Sequence, residues 1–305
     1  MAETESGGSG FTTTLAQPGP APPSAERRSR KWLIIGAIVL VLVLGIGYLI
    51  AGASAAGAST NRADGALTTT IAHQDTVAGT LSQDPFKGID LSSPTADVSA
   101  AKAALALFEP KIAQARALVK ADRTALLQAR AGLKGSPLTL PEQGILSRDQ
   151  RRVDAGITAM AYADQAITYY QQQADFLHPF FDTFQGFQGV VKAEQAVDIT
   201  GTLAQLNATD TSLQKAAKLA KPPAVPIQIV AALENLKSLV TDLKAWLSAA
   251  QAHDFATFQK ERAALDADSQ KLSNYDAAGA VNADKALFQP LSDRYNSEMK
   301  VAAGN

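Results

Sequence analysis

Residues 93–133 read SPTADVSAAKAALALFEPKIAQARALVKADRTALLQARAGL. Val98, Ala101, Leu105, Phe108, Ile112, Ala115, Val119, Asp122, Leu126, Ala129 and Leu133 recur in alternating steps of three and four. An α-helix turns once every 3.6 residues, so this spacing lays a single apolar seam along one helix face for about five heptads. Ser93 followed by Pro94 predicts the start, with proline at the first helical position, where its missing N–H would have no partner in any case. Gly132, Gly135 and Pro137 predict the end. A helix of about 40 residues spans about 60 Å, with Pro110 off the seam and expected to kink or split it.

The same pattern continues outward in both directions. Before it, Leu67, Ile71, Ala78 and Leu81 predict a shorter helix that joins the bundle or extends a stalk. After it, Thr139 with Glu142 and Ser147 with Gln150 both fit a capping box, giving two starts for the next helix. That helix buries Val153, Ile157, Met160, Ile167, Tyr170, Ala174 and Leu177, and beyond Pro179 a similar stripe runs through Phe181, Phe184, Phe187 and Val191. Further helices follow on Ile199, Leu203, Leu206, Leu213 and Ala220, then on Ile229, Leu233, Leu236, Val240, Leu243 and Leu247. The last two carry Phe255, Phe258, Leu265 and Leu272, and Leu287, Leu291, Tyr295 and Met299. Lys221-Pro222-Pro223-Ala-Val-Pro226 and His253-Asp254 are the sharpest breaks. Long helices with short connections favour antiparallel neighbours. The expected fold is therefore all-α: a single N-terminal transmembrane helix followed by an elongated antiparallel helical bundle of four or more long helices, with coiled-coil-like seams.

The transmembrane helix is read from residues 32–51, WLIIGAIVLVLVLGIGYLIA, which carry no charge and no proline. Twenty helical residues rise about 30 Å, the thickness of a bilayer's hydrocarbon core. Thirteen of the twenty are Leu, Ile or Val; at roughly −0.3 to −0.6 kcal/mol each near the bilayer centre, they favour insertion by several kcal/mol. Trp32 and Tyr48 lie near the ends, where amphipathic rings prefer the headgroup level. Arg27, Arg28, Arg30 and Lys31 precede the segment and the first basic residue after it is Arg62, an asymmetry that places the N-terminus in the cytoplasm. Ala51-Gly52-Ala53 and two similar triplets after it have the form of a signal-peptidase site, so a cleaved signal and a secreted helical domain are the rival. The apolar run is longer than a signal core of about 7–15 residues and favours an uncleaved signal-anchor. Gly47, Ala51 and Ala55, spaced by four, offer a small-residue helix–helix contact in the membrane.

The expected organisation is residues 1–31 as a disordered cytoplasmic tail with its basic flank, 32–51 as the span, 52–65 as a small-residue spacer, and 66–305 as an extracytoplasmic bundle domain. Residues 1–26 are rich in Gly, Ser, Thr and Pro, a composition that buries too little apolar surface to fold. The tail is too short for a signalling domain. The polar end, RYNSEMKVAAGN, offers no second span of the kind a chemoreceptor input domain needs.

The chemistry-bearing residues are sparse. Lys and Arg number 28 against 29 Asp and Glu, so no broad field favours nucleic acid. With no cysteine, disulfides, thiolate catalysis and cysteine zinc sites are excluded. His-Glu-x-x-His, Gly-x-Ser-x-Gly, the P-loop and the dinucleotide glycine fingerprint do not occur. Three histidines are present, His73, His178 and His253. Asp175-Phe-Leu-His178 is the nearest approach to a helical metal motif and reads better as a capping or hydrogen-bonded pair beside Pro179. Asp122, Asp164 and Asp210 lie near seam positions and offer a polar layer or a cation site, or simply register. Asn207-Ala-Thr209 has the glycosylation form but lies within helical sequence.

One stretch is compositionally distinct. Residues 176–190, FLHPFFDTFQGFQGV, hold Phe176, Phe180, Phe181, Phe184 and Phe187, five of the eleven phenylalanines. They predict an aromatic core layer, with Gly186 and Gly189 allowing close helix approach, or alternatively an apolar pocket for a lipid, quinone or other flat ligand. The expected function is a non-enzymatic interaction or scaffold module of a bacterial cell envelope, held in the cell membrane by a single pass. No cofactor or metal is expected. The partners are the bilayer through residues 32–51 and another envelope protein or a second copy. A ligand-binding or sensory domain using the phenylalanine segment is the alternative.

Overall fold

A computed structural model describes residues 58–83, 97–133 and 143–304. The expected span 32–51, the basic residues Arg27, Arg28, Arg30 and Lys31, and the expected interface residues Trp32 and Tyr48 all lie outside the described residues. Among the described residues no helix is long and apolar enough to cross a membrane.

Seven α-helices and no strand make up the described chain: α1 (Ala58–Leu81), α2 (Val98–Gly132), α3 (Gln143–Gln195), α4 (Ile199–Leu219), α5 (Ile227–Gln251), α6 (Phe255–Ser273) and α7 (Ala277–Ala303). Four of them begin on an aspartate whose carboxylate accepts the backbone N–H three residues on: Asp97 from Ala100, Asp198 from Gly201, Asp254 from Thr257 and Asp276 from Gly279. Each such cap satisfies one of the amides left unpaired at a helix start. The cap of α2 is thus Asp97, not Ser93; Ser93 and Pro94 lie outside the described residues. Ser147 is likewise no cap, because α3 has already begun at Gln143. The first helix starts at Ala58, inside the stretch read as a spacer, and Ala63 is fully buried.

The order of the helices follows from their cross-links. His73 on α1 meets Asp122 on α2, Arg116 on α2 meets Thr168 on α3, and Arg152 on α3 reaches the Ala302 carbonyl on α7. Lys111 meets Gln83, Lys102 meets Asp182 and Phe288 stacks on Tyr170 at the far ends of the same helix pairs. Together with the Tyr170 to Leu81 hydrogen bond between α3 and α1, these contacts define an up-down-up-down four-helix bundle of α1, α2, α3 as far as Phe181, and α7. Helices α4, α5 and α6 are inserted between α3 and α7. At 53 residues, about 80 Å, α3 outruns the four-helix bundle. Its second half packs antiparallel to α4, which packs against α5, which packs against α6.

Every predicted seam residue of α2 is buried, Asp122 included. Pro110 and Pro179 neither split nor end their helices; both lie inside continuous α-helix. Each lacks the N–H for one helical bond, and the flanking residues Phe108, Ile112, Phe176 and Phe181 are all buried, so packing on both sides holds the turn together. At the Pro179 level the Thr183 hydroxyl donates to the Pro179 carbonyl at 2.8 Å.

Two polar devices close the four-helix bundle. At the end where the chain enters, Arg152 donates to Asp64 of α1 at 3.3 Å and to the Ala302 carbonyl of α7 at 3.1 Å. It also lies 3.8 Å from buried Asp149. Burial and the neighbouring Asp64 charge push the Asp149 carboxyl above its ordinary range, against the pull of Arg148 and Arg152. At the other end Phe108 of α2, Tyr170 of α3 and Phe288 of α7 form an aromatic layer. Tyr170 stacks on Phe288 at 4.3 Å, and Phe108 meets Tyr170 edge-on at 5.8 Å. The Tyr170 hydroxyl donates to the Leu81 carbonyl at 2.9 Å, pairing one of the unsatisfied carbonyls at the end of α1.

Candidate functional site

The phenylalanine segment lies where the four-helix core meets the second core. Phe181 belongs to the first, with the α2 seam. Phe176 belongs to the second, with Leu213, Ala216, Ala220, Val225, Leu233 and Val240 from α4, the α4–α5 turn and α5. Phe180 packs against both and touches Phe176 at 5.1 Å and Phe184 at 4.9 Å, centroid to centroid. Phe187 is half-buried on the second core, and Phe184 is exposed. The stripe continues through buried Val190 rather than Val191, which is exposed. The glycines do what close approach requires. A Cβ on Gly186 would run into the Thr209 side chain and stand 3.3 Å from the Thr209 backbone, and one on Gly189 would meet Gln205 at 2.9 Å. Rings filled by one another and by two cores support the aromatic-layer reading of this segment.

The seam carboxylates separate rather than converge. Asp122 is buried inside the four-helix bundle, where His73 Nδ1–H donates to its two oxygens at 2.9 and 3.1 Å. Burial pushes the Asp122 carboxyl above its ordinary range, and the hydrogen bond and charge of His73 pull the other way. Tyr295 of α7 is buried nearby; its own burial, then the charges of Asp122 and Asp75, push its hydroxyl far up, so it stays neutral. Thr70 and Gln74 of α1 are also buried, and Thr70 Oγ1, Gln74 Nε2 and the Tyr295 hydroxyl find no hydrogen-bond partner among the described residues. Together they make a polar layer across α1, α2 and α7. The sequence reading missed its α1 members because Thr60, Thr70 and Gln74 interrupt the apolar count. Yet Thr60, Ala63, Leu67, Thr70, Gln74, Val77 and Leu81 recur in steps of three and four and all are buried; position, not polarity, was the signal.

Asp210 lies in the second core's flank, where Lys244 Nζ donates to it at 2.6 Å and Gln214 at 3.1 Å. The Lys244 and Gln214 hydrogen bonds and the Lys244 charge outweigh burial and draw its carboxyl below the ordinary range. Asp164 is half-buried on α3. Asp175 and His178 do not form a pair: His178 Nε2 lies 2.7 Å from Glu109 of α2 instead, and Asp175 faces solvent. Among the described residues no group of three or more His, Asp or Glu is placed to hold a metal ion. Thr209 is buried at the Gly186 contact.

The α3–α4 and α5–α6 turns lie at one end of the second core, where Val190, Leu206 and Leu247 meet. The two turns share one construction. Val197 N–H donates to Glu194 and Asp198 N–H to Ala193; His253 N–H donates to Ala250 and Asp254 N–H to Ala249. This is a Schellman ending, which requires a left-handed residue, and Val197 and His253 both have φ of 57°. In each turn the next residue is the aspartate cap of the following helix, and an apolar side chain follows. Val197, Ile199 and Phe255 are left exposed at 85%, 38% and 76%. A half-open cavity of about 150 Å³ lies between Ala249, Ala250, His253, Asp254, Phe255 and Phe258, smaller than the roughly 300 Å³ at which small-molecule pockets begin. Comparison of the chain with protein-family models, curated proteins and solved structures found no match.

Proposed function

We propose that the chain is a single-pass membrane protein whose helical domain lies outside the cytoplasm and serves as a non-enzymatic interaction module of the cell envelope. The observation that carries this reading is a pair of like turns that hold apolar side chains open to solvent at one end of the second core. Val197, Ile199 and Phe255 stand open on two turns of like construction, and they stand at the end of the second core, far along α3 from where the chain enters at Ala58. The first 31 residues supply a basic flank and residues 32–51 an apolar run of bilayer length. An anchor there tethers the domain by α1 and leaves the two turns free to meet a second protein. The two cores that absorb Phe176 and Phe181 support a structural role for the phenylalanine segment.

Native mass spectrometry of the full-length protein, gently extracted from its membrane, tests the reading. The expected result is an intact mass that includes residues 32–51, carrying a second polypeptide that is lost on Phe255→Ser with Val197→Ser. A second copy of the chain in that position makes the module self-associating. A small-molecule adduct on the folded species would replace the reading with a ligand carrier. A mass lacking the first 51 or more residues would replace the anchor with a cleaved signal.

A further inference from the structure

Helix α6 is the odd member of the fold. Phe258, Glu261, Leu265, Asp268 and Leu272 recur in steps of three and four, so they form the seam by which α6 packs on α5. In this seam apolar and acidic residues alternate. The one fully buried residue of α6 is Asp268, and no apolar side chain of the helix reaches full burial. The Glu261 side chain is also largely covered, at 12% exposed. From α5 the facing groups are Ser238, Asp242 and Trp246: Trp246 lies 5.0 Å from Phe258, Asp242 faces both Asp268 and Glu261, and Ser238 reaches Asp268. Three carboxyls therefore share one two-helix seam. The cations beside them are Lys271, 2.7 Å from Asp268, and Lys260, 3.3 Å from Glu261 and itself 81% exposed. The remaining charged or titratable groups on the helix and at its ends, Arg262, Asp266, His253, Asp254, Tyr275 and Asp276, are all exposed.

We infer that α6 is a detachable helix whose docking on α5 is set by the charge of the Asp242–Glu261–Asp268 seam: one proton on the seam holds it, and full ionisation loosens it. Three carboxyls against two lysines leave the ionised seam one negative charge in excess, and surface lysines are too well screened to offset the cost of covering it. A seam whose apolar members are only half-buried has little hydrophobic stabilisation to set against that cost. The proton belongs on Asp242. Its burial, then the charges of Asp268 and Glu261, raise its carboxyl, whereas the hydrogen bonds from Lys271 and Ser238 hold Asp268 down and ionised. A carboxyl raised in the docked state contributes its stability at low pH and loses it as pH rises through the raised value. Because Asp268 is lowered, its own contribution persists until the pH falls below the ordinary carboxylate range. Docking is therefore tightest in mild acid and weaker at neutral pH. This inference stands apart from the anchor and from the partner reading.

Hydrogen exchange followed by mass spectrometry on the full-length protein, corrected for intrinsic exchange rates, tests it. At pH 7 amides in 255–273 are expected to be at least about tenfold less protected than those in the α2 and α3 seams, as expected for an element that opens locally. Lowering the pH from 7 to about 4 should raise their protection several-fold relative to α3. Asp242→Asn should raise it by roughly three- to tenfold at pH 7 and abolish the pH response, with Glu261→Gln acting in the same direction. Protection of α6 equal to that of α3 at pH 7 would overturn the inference. So would low protection that neither pH nor either substitution changes.

Discussion

The two halves of the molecule along α3 are built on the same repeat and end up differently stabilised. In the first half, α1, α2, α7 and the start of α3 bury one continuous core of Leu, Val, Ile, Met and many alanines. In the second half the same long helix meets α4 and α5 through two small clusters, and α6 packs on α5, with threonine, glycine and carboxylate taking seam positions. In the first half leucine and alanine fill most seam positions, around one polar layer of Thr70, Gln74 and Asp122. Replacing seam residues by Thr202, Thr209 and Asp268 keeps the register but removes apolar burial. The lesson is that a heptad spacing fixes which face is covered, while the residues at those positions set how firmly it stays covered.

The sharpest way to break this comparison is to truncate one leucine in each half. Leu126 is fully buried in the first core, and Leu126→Ala should cost about 3–4 kcal/mol in chemical denaturation. Leu265 in α6 is half-buried, and Leu265→Ala should cost no more than about 1 kcal/mol. Equal losses would mean that the second half is as well packed as the first. Gly186→Ala comes next, at about 1–3 kcal/mol, because the new methyl meets Thr209 across the α3–α4 contact; Thr209→Ala beside it should recover part of the loss, and its failure to do so would deny that contact.

The buried carboxyl of the first half sharpens the contrast through pH. Asp122 is raised by burial more than His73 lowers it, so it contributes stability below the ordinary carboxylate range and loses it as pH rises through the raised value. Asp122→Asn should remove this part of the pH dependence of unfolding while leaving the α6 response untouched. A stability–pH curve identical to that of the parent would contradict the assignment. The smallest effect is expected at the α3–α4 turn. Val197 is left-handed and exposed, a conformation that costs a β-branched residue about 1–2 kcal/mol. Val197→Gly should relieve this, less the extra backbone entropy of glycine, for a net gain of a few tenths to about 1 kcal/mol in thermal unfolding.

Much of the fold was legible in the sequence, for a physical reason. Where a seam is apolar and its helix long, as from Val98 to Leu133, spacing alone names the buried face, and each of those residues is buried. Caps were legible only in part. Asp97, Asp198 and Asp276 carry the same signal as Ser93 or Ser147, and a capping box cannot say which of several polar residues the helix uses. Polar seam members were harder still: Thr70, Gln74 and Asp268 look like surface residues until their partners are known. Ile199 and Phe255 read as seam residues, because an apolar residue at the start of a helix reads as core, yet both are exposed. Their exposure comes from turn geometry, in which Asp198 and Asp254 cap the next helix and the neighbouring side chains point outward. Pro110 does not split its helix, since tertiary packing holds a helical turn that the local sequence would break.

The most direct test of the proposed function is to locate the full-length protein and its residue 32–51 deletion in a bacterial host by alkaline extraction of membranes. Protease added from outside the cytoplasm then reports the side on which the bundle lies. The anchored interaction-module account predicts that the full chain resists extraction, that deleting residues 32–51 releases it, and that external protease removes the helical domain while sparing the basic N-terminal tail. A full-length chain with residues 32–51 intact that is recovered in the soluble fraction, or whose bundle is shielded from external protease, would contradict it.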